Sequence, residues 1–300
     1  MTKRDNPMRS LLLGCLVLLA MAGCSERTAP TPELLPLPQE VAWSKGYFQK
    51  SEVSLSGDPS VVGIVGEWLD GAGIKRSDAA SRKVNVGLVE RIEQAVVNQE
   101  EAYNLTVSPK EIIIEAVTEK GVYWAVQTLR QLTENSERDV KIPCCEIIDW
   151  PAFGIRGFMH DTGRSYISLE EIKREIEILS LYKINTFHWH LTENQAWRLE
   201  SKIYPQLTSP ENMTRYPGCF YTQEQVREFL DFCRKHQILV IPEIDMPGHS
   251  ESFTRTFGCD MQSPKGKGIL KELLAEACDL FAGVPYFHIG TDEEIGRAHV

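Results

Sequence analysis

The sequence predicts an α/β protein in two parts: a small N-terminal α/β domain over 37–150, then strand–helix units of a parallel barrel over 151–293. Three observations carry that expectation. Beyond Trp150, apolar runs of strand length alternate with segments of helical spacing, the rhythm of a parallel sheet with crossover helices. The runs are almost continuously apolar, as strands covered on both faces are. Polar, histidine- and acid-bearing residues gather just after each run, at Asp161, Glu193–Asn194, Asp245–His249 and Asp292–Glu293. In a parallel α/β barrel the loops at those carboxyl ends converge on one mouth, where sites are built.

Taken in order, 59–72 spaces its apolar residues as a helix and "KVNVGLV" (83–89) reads as a buried strand. Tyr103, Leu105 and Val107 alternate, Ser108 to Glu111 supply turn chemistry, and Ile112 to Ile114 open a second strand, which makes a hairpin. A helix follows over 118–134 with Thr118 as N-cap, and the domain ends near "IPCCEIIDWPAF". The barrel units begin with a strand at 154–161 and a helix at 168–183, where Ser168 and Glu171 form a capping box. Strand 184–192, helix 222–237 with a Thr cap, strand 238–245, helix 268–281 and strand 286–290 complete the series. These are about four βα units, the first half of a TIM (β/α)8 barrel, whose full form typically takes ~250 residues.

Composition narrows the function. Hydrophobic residues make up 42% and charged residues 25%, as in ordinary globular proteins. The net charge is −10 and no basic run occurs beyond the N-terminus, which argues against a nucleic-acid partner. At the N-terminus, Lys3, Arg4 and Arg9 precede the apolar run "LLLGCLVLLAMAGC", the layout of a secretory signal. Its end, Met21–Ala22–Gly23–Cys24, resembles a bacterial lipoprotein lipobox. The resemblance implies a signal peptide over 1–23, lipidation at Cys24 and a proline-bearing tether over 24–36. Ser25 implies outer-membrane sorting, so a lipid-anchored protein of the cell envelope is expected. Cys144, Cys145, Cys219, Cys233, Cys259 and Cys278 show no C-x-x-C spacing, so no zinc site is expected from them.

Four segments, "RGFMHDTGRSY" (156–166), "NTFHWHLTENQAW" (185–197), "IPEIDMPGHS" (241–250) and "HIGTDE" (288–293), occur in the order found in family 20 glycoside hydrolases. The chain resembles that family, which contains the β-N-acetylhexosaminidases, over about residues 33–293. The resemblance implies substrate-assisted hydrolysis of N-acetylhexosamine-containing glycans without a cofactor. In such exceptions to the two-carboxylate scheme, the sugar's own acetamide oxygen attacks the anomeric carbon. One acid must protonate the leaving group and one carboxylate must orient the acetamide. Glu293 is expected to be the general acid and Asp292 the orienting carboxylate. Their Cα atoms lie ~3.8 Å apart, and neighbours in a strand point to opposite faces, so both serve one site only where the strand is ending. Like charges so close raise one pKa, which favours a protonated Glu293.

By the same resemblance Arg156 grips sugar hydroxyls, with an inter-strand ion pair as the alternative. His249 positions the general acid, with Asp245 before it on the same strand end and Asp161 at the mouth. "HLTENQ" puts Glu193 and Asn194 where relatives carry two aspartates. Asn194 cannot lend His249 an aspartate's charge, so either Glu193 substitutes or the acid is tuned differently. His188 and His190 form an H-x-H pair of the kind that binds zinc in barrel amidohydrolases, although there the pair lies on the first strand; no metal is expected.

Two alternatives remain at this stage, a metal-dependent barrel amidohydrolase and a glycan-binding surface lipoprotein without catalysis. After Glu293, "EIGRAHV" no longer resembles the family and looks like adapter read-through, so 294–300 is expected to be a non-native tail. The 300 residues are expected to be the N-terminal half of a longer enzyme, inactive alone because half a barrel leaves a long apolar edge unpaired.

Overall fold

The computed structural model describes residues 32–49, 51–134 and 141–291. Cys24, the signal segment, Asp292, Glu293 and the tail 294–300 therefore lie outside the described residues. The described residues from Leu34 onward form one unit.

The N-terminal domain is a six-stranded sheet built from β1 (Glu40–Gln49), β2 (Val53–Gly57), β3 (Arg82–Leu88), β4 (Tyr103–Val107), β5 (Glu111–Ala116) and β6 (Lys141–Asp149), in the order β1-β6-β4-β5-β3-β2. The alternation read from the sequence is real: Tyr103, Leu105 and Val107 of β4, and Ile112, Ile114 and Ala116 of β5, are the buried residues of an antiparallel pair. Helices α1 (Val62–Gly71) and α2 (Glu119–Glu134) bury Val65, Trp68, Leu69, Val122, Trp124 and Leu129 in the same core. Each fully buried aliphatic side chain of this kind contributes about 1.5–3 kcal/mol. Thr118 caps α2 as expected, accepting from the Lys120 N–H at 3.1 Å. The sequence reading placed neither β1 nor β2 and treated β6 as a boundary only. β1 is an edge strand with most side chains exposed, so it carries no clear alternation.

The barrel part contains β7 (Gly157–Asp161), α3 (Leu169–Leu181), β8 (Thr186–His190), α4 (Gln223–Lys235), β9 (Leu239–Glu243), α5 (Glu251–Phe257) and α6 (Pro264–Leu280). The three strands pair in parallel, β7-β8-β9. The Ser168–Glu171 capping box opens α3, and a Thr222–Gln225 box opens α4. Phe187, Trp189 and Val240 project to the helix side, where Ile172, Ile176 and Phe229 cover them. The segment expected as a fourth strand, 286–290, departs from expectation. It runs parallel to β9 through the bridge Glu243↔His288 and the bonds His288 N to Pro242 O (2.9 Å) and Ile244 N to His288 O (3.2 Å), but forms no strand of its own.

A buried polar knot joins the two parts beneath β8. Lys183 Nζ donates to Asp149 Oδ2 at 2.7 Å and to the Tyr103 hydroxyl at 2.9 Å. Tyr103 in turn donates to Asp149 Oδ2 at 3.0 Å and meets Thr128 Oγ1 at 2.7 Å.

Candidate active site

Parallel register decides which strand-end residues share a face. Asp161, His190 and Glu243 are register partners at the carboxyl ends of β7, β8 and β9. The bridge to His288 adds a fourth member, so acids and imidazoles alternate around the inner wall. His190 Nδ1 lies 3.2 Å from Glu243 Oε2, and His190 Nε2 lies 4.0 Å from Asp161 Oδ1. One layer lower, His188 Nε2 approaches Glu243 Oε2 at 2.5 Å; within the row, His288 Nδ1 stands 3.2 Å from Glu243 Oε1.

His188, Glu243 and His288 carry ligand-type atoms within 4.8 Å of one another, as do His190, Glu243 and Asp245. The His188–Glu243 approach of 2.5 Å is nonetheless tight for two ligands of one ion. Ligands at ~2.0–2.1 Å from zinc stand roughly 2.9 Å apart even at right angles. The geometry is that of direct imidazole–carboxylate pairing. Burial pushes the Glu243 carboxyl up, but the imidazoles of His188 and His190 more than offset this and hold it well below the ordinary carboxylate range. Burial pulls His190 down, and its contact with Glu243 together with the charges of Glu243, Asp161 and Asp245 reverses this and raises it.

The signs give a pH window. A depressed Glu243 contributes stability that is full above its unfolded pKa of 4.5 and is lost as pH falls below it. A raised His190 contributes stability that is full below its unfolded value of 6.5 and is lost as pH climbs through the folded one. The row therefore stabilises most between those two values. Thermal melts of the complete gene product should show this preference for mildly acidic pH over pH 8, on the order of 1 kcal/mol per pKa unit. In Glu243→Gln the preference should vanish, and an unchanged pH dependence there would count against the pairing.

Above the row, the loops bring in a second cluster. Arg164, three residues beyond β7, donates from its backbone N–H to Asp161 Oδ1 at 2.9 Å and from its guanidinium to Asp161 Oδ2 at 2.6 Å. Another arm of Arg164 reaches Glu193 Oε1 at 2.5 Å, and the same oxygen lies 2.7 Å from His249 Nδ1. Glu193 is fully buried, with 0% exposure. Gly163 permits the packing, since a Cβ there would fall 2.7 Å from the Cβ of Glu193. Asn194 turns to other work: its side-chain oxygen accepts from the Glu251 N–H at 3.1 Å, and its carbonyl accepts from Arg255 at 2.6 Å. Asp245 is 1% exposed; its N–H donates to Thr192 Oγ1 at 3.0 Å and its Oδ1 accepts from the Thr291 N–H at 3.2 Å.

The structure thus brings Asp161, Glu193, Asp245 and His249 together, and of the two options left open by "HLTENQ" it places Glu193 against His249. Arg156 requires correction. It precedes β7, so a five-residue strand at ~3.3 Å per residue separates it from the mouth by roughly 16 Å. Its guanidinium pairs with Glu101 Oε2 at 2.5 Å and donates to the carbonyls of Lys183 (2.7 Å) and Phe153 (2.8 Å). This is an ion pair to the N-terminal domain rather than a grip on substrate. The arginine at the mouth is Arg164, which the sequence reading passed over although it lies in the same quoted segment; Glu243 and His288 also went unremarked there.

Two family descriptions match the chain: "Glycosyl hydrolase family 20, domain 2" over residues 31–150 and "Glycosyl hydrolase family 20, catalytic domain" over 153–265. Together they take in more than half of the sequence. The chain belongs to glycosyl hydrolase family 20. A beta-hexosaminidase of Porphyromonas gingivalis is 32% identical over 95% of this family 20 chain and 43% of its own length. One of Vibrio furnissii is 42% identical over 51% of this chain and 27% of its own. Among solved structures, a Flavobacterium johnsoniae chitobiase matches with a TM-score of 0.74 at 31% identity, covering 89% of this chain and 45% of that one. A GH20 exo beta-N-acetylglucosaminidase from Vibrio harveyi, in complex with N-acetylglucosamine, matches with a TM-score of 0.73 at 30% identity, covering 88% of this chain and 48% of that one. The chain spans less than half the length of each of these relatives.

Proposed function

We propose that the whole protein is a retaining exo-β-N-acetylhexosaminidase that removes terminal GlcNAc or GalNAc from glycans by substrate-assisted catalysis. The observation that carries this reading is the convergence of Asp161, Arg164, Glu193, Asp245 and His249 at the carboxyl ends of successive parallel strands. Thr291, the residue before Asp292 and Glu293 in the sequence, is hydrogen-bonded to Asp245 at the same end. In the proposed reaction Asp292 orients the acetamide and Glu293 gives its proton to the leaving oxygen. The acetamide oxygen forms a bond to the anomeric carbon as the glycosidic bond breaks, which leaves a cyclic oxazolinium. Water then opens that ring, with Glu293 taking the water's proton, and the original anomeric configuration returns. Arg164, half-exposed at the mouth and braced by two carboxylates, replaces Arg156 as the guanidinium placed to fork onto sugar hydroxyls.

The test is discrimination between sugars. The complete gene product should hydrolyse an aryl N-acetyl-β-glucosaminide or galactosaminide and leave the corresponding plain glucoside essentially untouched. Equal rates on both would remove the acetamide from the mechanism and sink the assignment.

Lipid anchorage at Cys24 in the outer membrane belongs to the same proposal. It rests on the basic, apolar and small-residue order of the first 24 residues. Cells fed labelled palmitate should label the wild-type protein and leave Cys24→Ser unlabelled.

A further inference from the structure

Two consecutive residues leave the extended conformation just where the chain reaches the two acids. Gly290 has φ +69° and Thr291 has φ +84°. For a β-branched residue such a φ is unusual and persists only where its surroundings impose it. Asp245 is the neighbour that does so. Its Oδ1 accepts from the Thr291 N–H at 3.2 Å, and a Cβ built on Gly290 would fall 1.6 Å from the same oxygen. Residue 290 is thus a glycine because the Asp245 carboxylate lies across it. Asp245 is itself held on both sides, since Ile244 N donates to His288 O at 3.2 Å and Met246 N donates to Ile289 O at 3.1 Å. Its own N–H is tied to Thr192 at the end of β8.

We infer that Asp245 is a positioning residue, whose carboxylate holds Gly290–Thr291 in a bend that presents the following pair, Asp292 and Glu293, to one substrate. The inference rests on the roles proposed above for that pair. Along an extended strand, side chains alternate between faces, so adjacent acids would part company. A bend imposed one residue earlier breaks the alternation. Thr291 adjoins Asp292 directly, so the clamp governs the acetamide-orienting carboxylate before it governs the acid.

The experiment compares the complete gene product with Asp245→Ala and Asp245→Asn on two N-acetyl-β-glucosaminides. One carries a phenyl leaving group, which needs a proton, and the other a 2,4-dinitrophenyl group, which does not. Asp245→Ala should lose about 100-fold in kcat on both, with KM little changed, since a misplacement of ~1 Å costs about that much. Asparagine keeps an oxygen that can accept from Thr291 and should recover most of the loss. Loss confined to the phenyl substrate, or an Asn variant as impaired as Ala, would overturn the role. Gly290→Ala attacks the same contact from the other side and should reproduce the kinetic pattern if Asp245→Ala does not fold. If the wild type is inert on N-acetylated sugars, the proposed function falls. The clamp is then read by hydrogen exchange at the Thr291 amide, which should run at least tenfold faster in Asp245→Ala. An unchanged exchange rate would dispose of it.

Discussion

In the complete gene product, Glu293→Gln is expected to lower kcat for a phenyl N-acetyl-β-glucosaminide by roughly 10²- to 10⁴-fold, the usual worth of a positioned general acid. The reason lies in the division of labour proposed above for the neighbouring acids. Glutamine is close in shape to glutamate and can still donate a hydrogen bond, but it has no proton to surrender to an aryloxide or sugar oxygen. The loss should shrink sharply on the 2,4-dinitrophenyl substrate, whose leaving group departs as a stable anion. Asp292→Asn should behave in the opposite way and lose activity on both substrates, because the acetamide must be oriented whatever leaves. The same comparison separates a hydrolase from a barrel that only binds glycans: turnover unaffected by Glu293→Gln, or absent from the wild type, would exclude the assignment of Glu293.

The second large effect is on stability. Lys183 and Asp149 are both buried, and the knot they form with Tyr103 and Thr128 ties the N-terminal domain to the underside of the barrel. Burial lowers the Lys183 ammonium, against which the charge of Asp149 works. Asp149→Ala leaves that ammonium without its counter-charge and should cost about 3–5 kcal/mol, the range for breaking a buried pair by removing one partner. The double variant Asp149→Ala, Lys183→Met should regain most of this, because the penalty is an uncompensated charge rather than a lost attraction. Denaturant unfolding of the two variants measures both numbers. A single-variant cost below about 1 kcal/mol would mean that water reaches Lys183 and that the knot is not closed.

Local features of the fold could be read from the chain because they are written in short-range order. The Ser168–Glu171 box needs only four residues to announce α3, and the Thr222 cap does the same for α4. The β4–β5 hairpin shows itself through alternation around a turn. Asp161, Glu193, Asp245 and His249 could likewise be picked out, since a parallel sheet with crossover helices has one functional rim. Edge strand β1 escaped notice because most of its side chains are exposed and a register shift between Trp43 and Tyr47 interrupts its alternation.

Of this protein, the sequence by itself determined the α/β class, the run of strand–helix units and the four ordered segments that resemble family 20. Periodicity and spacing follow from backbone geometry, which is the same in every chain. Only the tertiary structure decided that Arg156 faces Glu101 while Arg164 holds the mouth, that Glu193 rather than Asn194 meets His249, and that Asp245 clamps Thr291. Those choices depend on which carboxylate comes within ~3 Å of which cation or N–H once register and packing have set the strands. Distances of that kind join residues from 29 (Arg164–Glu193) to 56 (Glu193–His249) positions apart, and no local pattern encodes them.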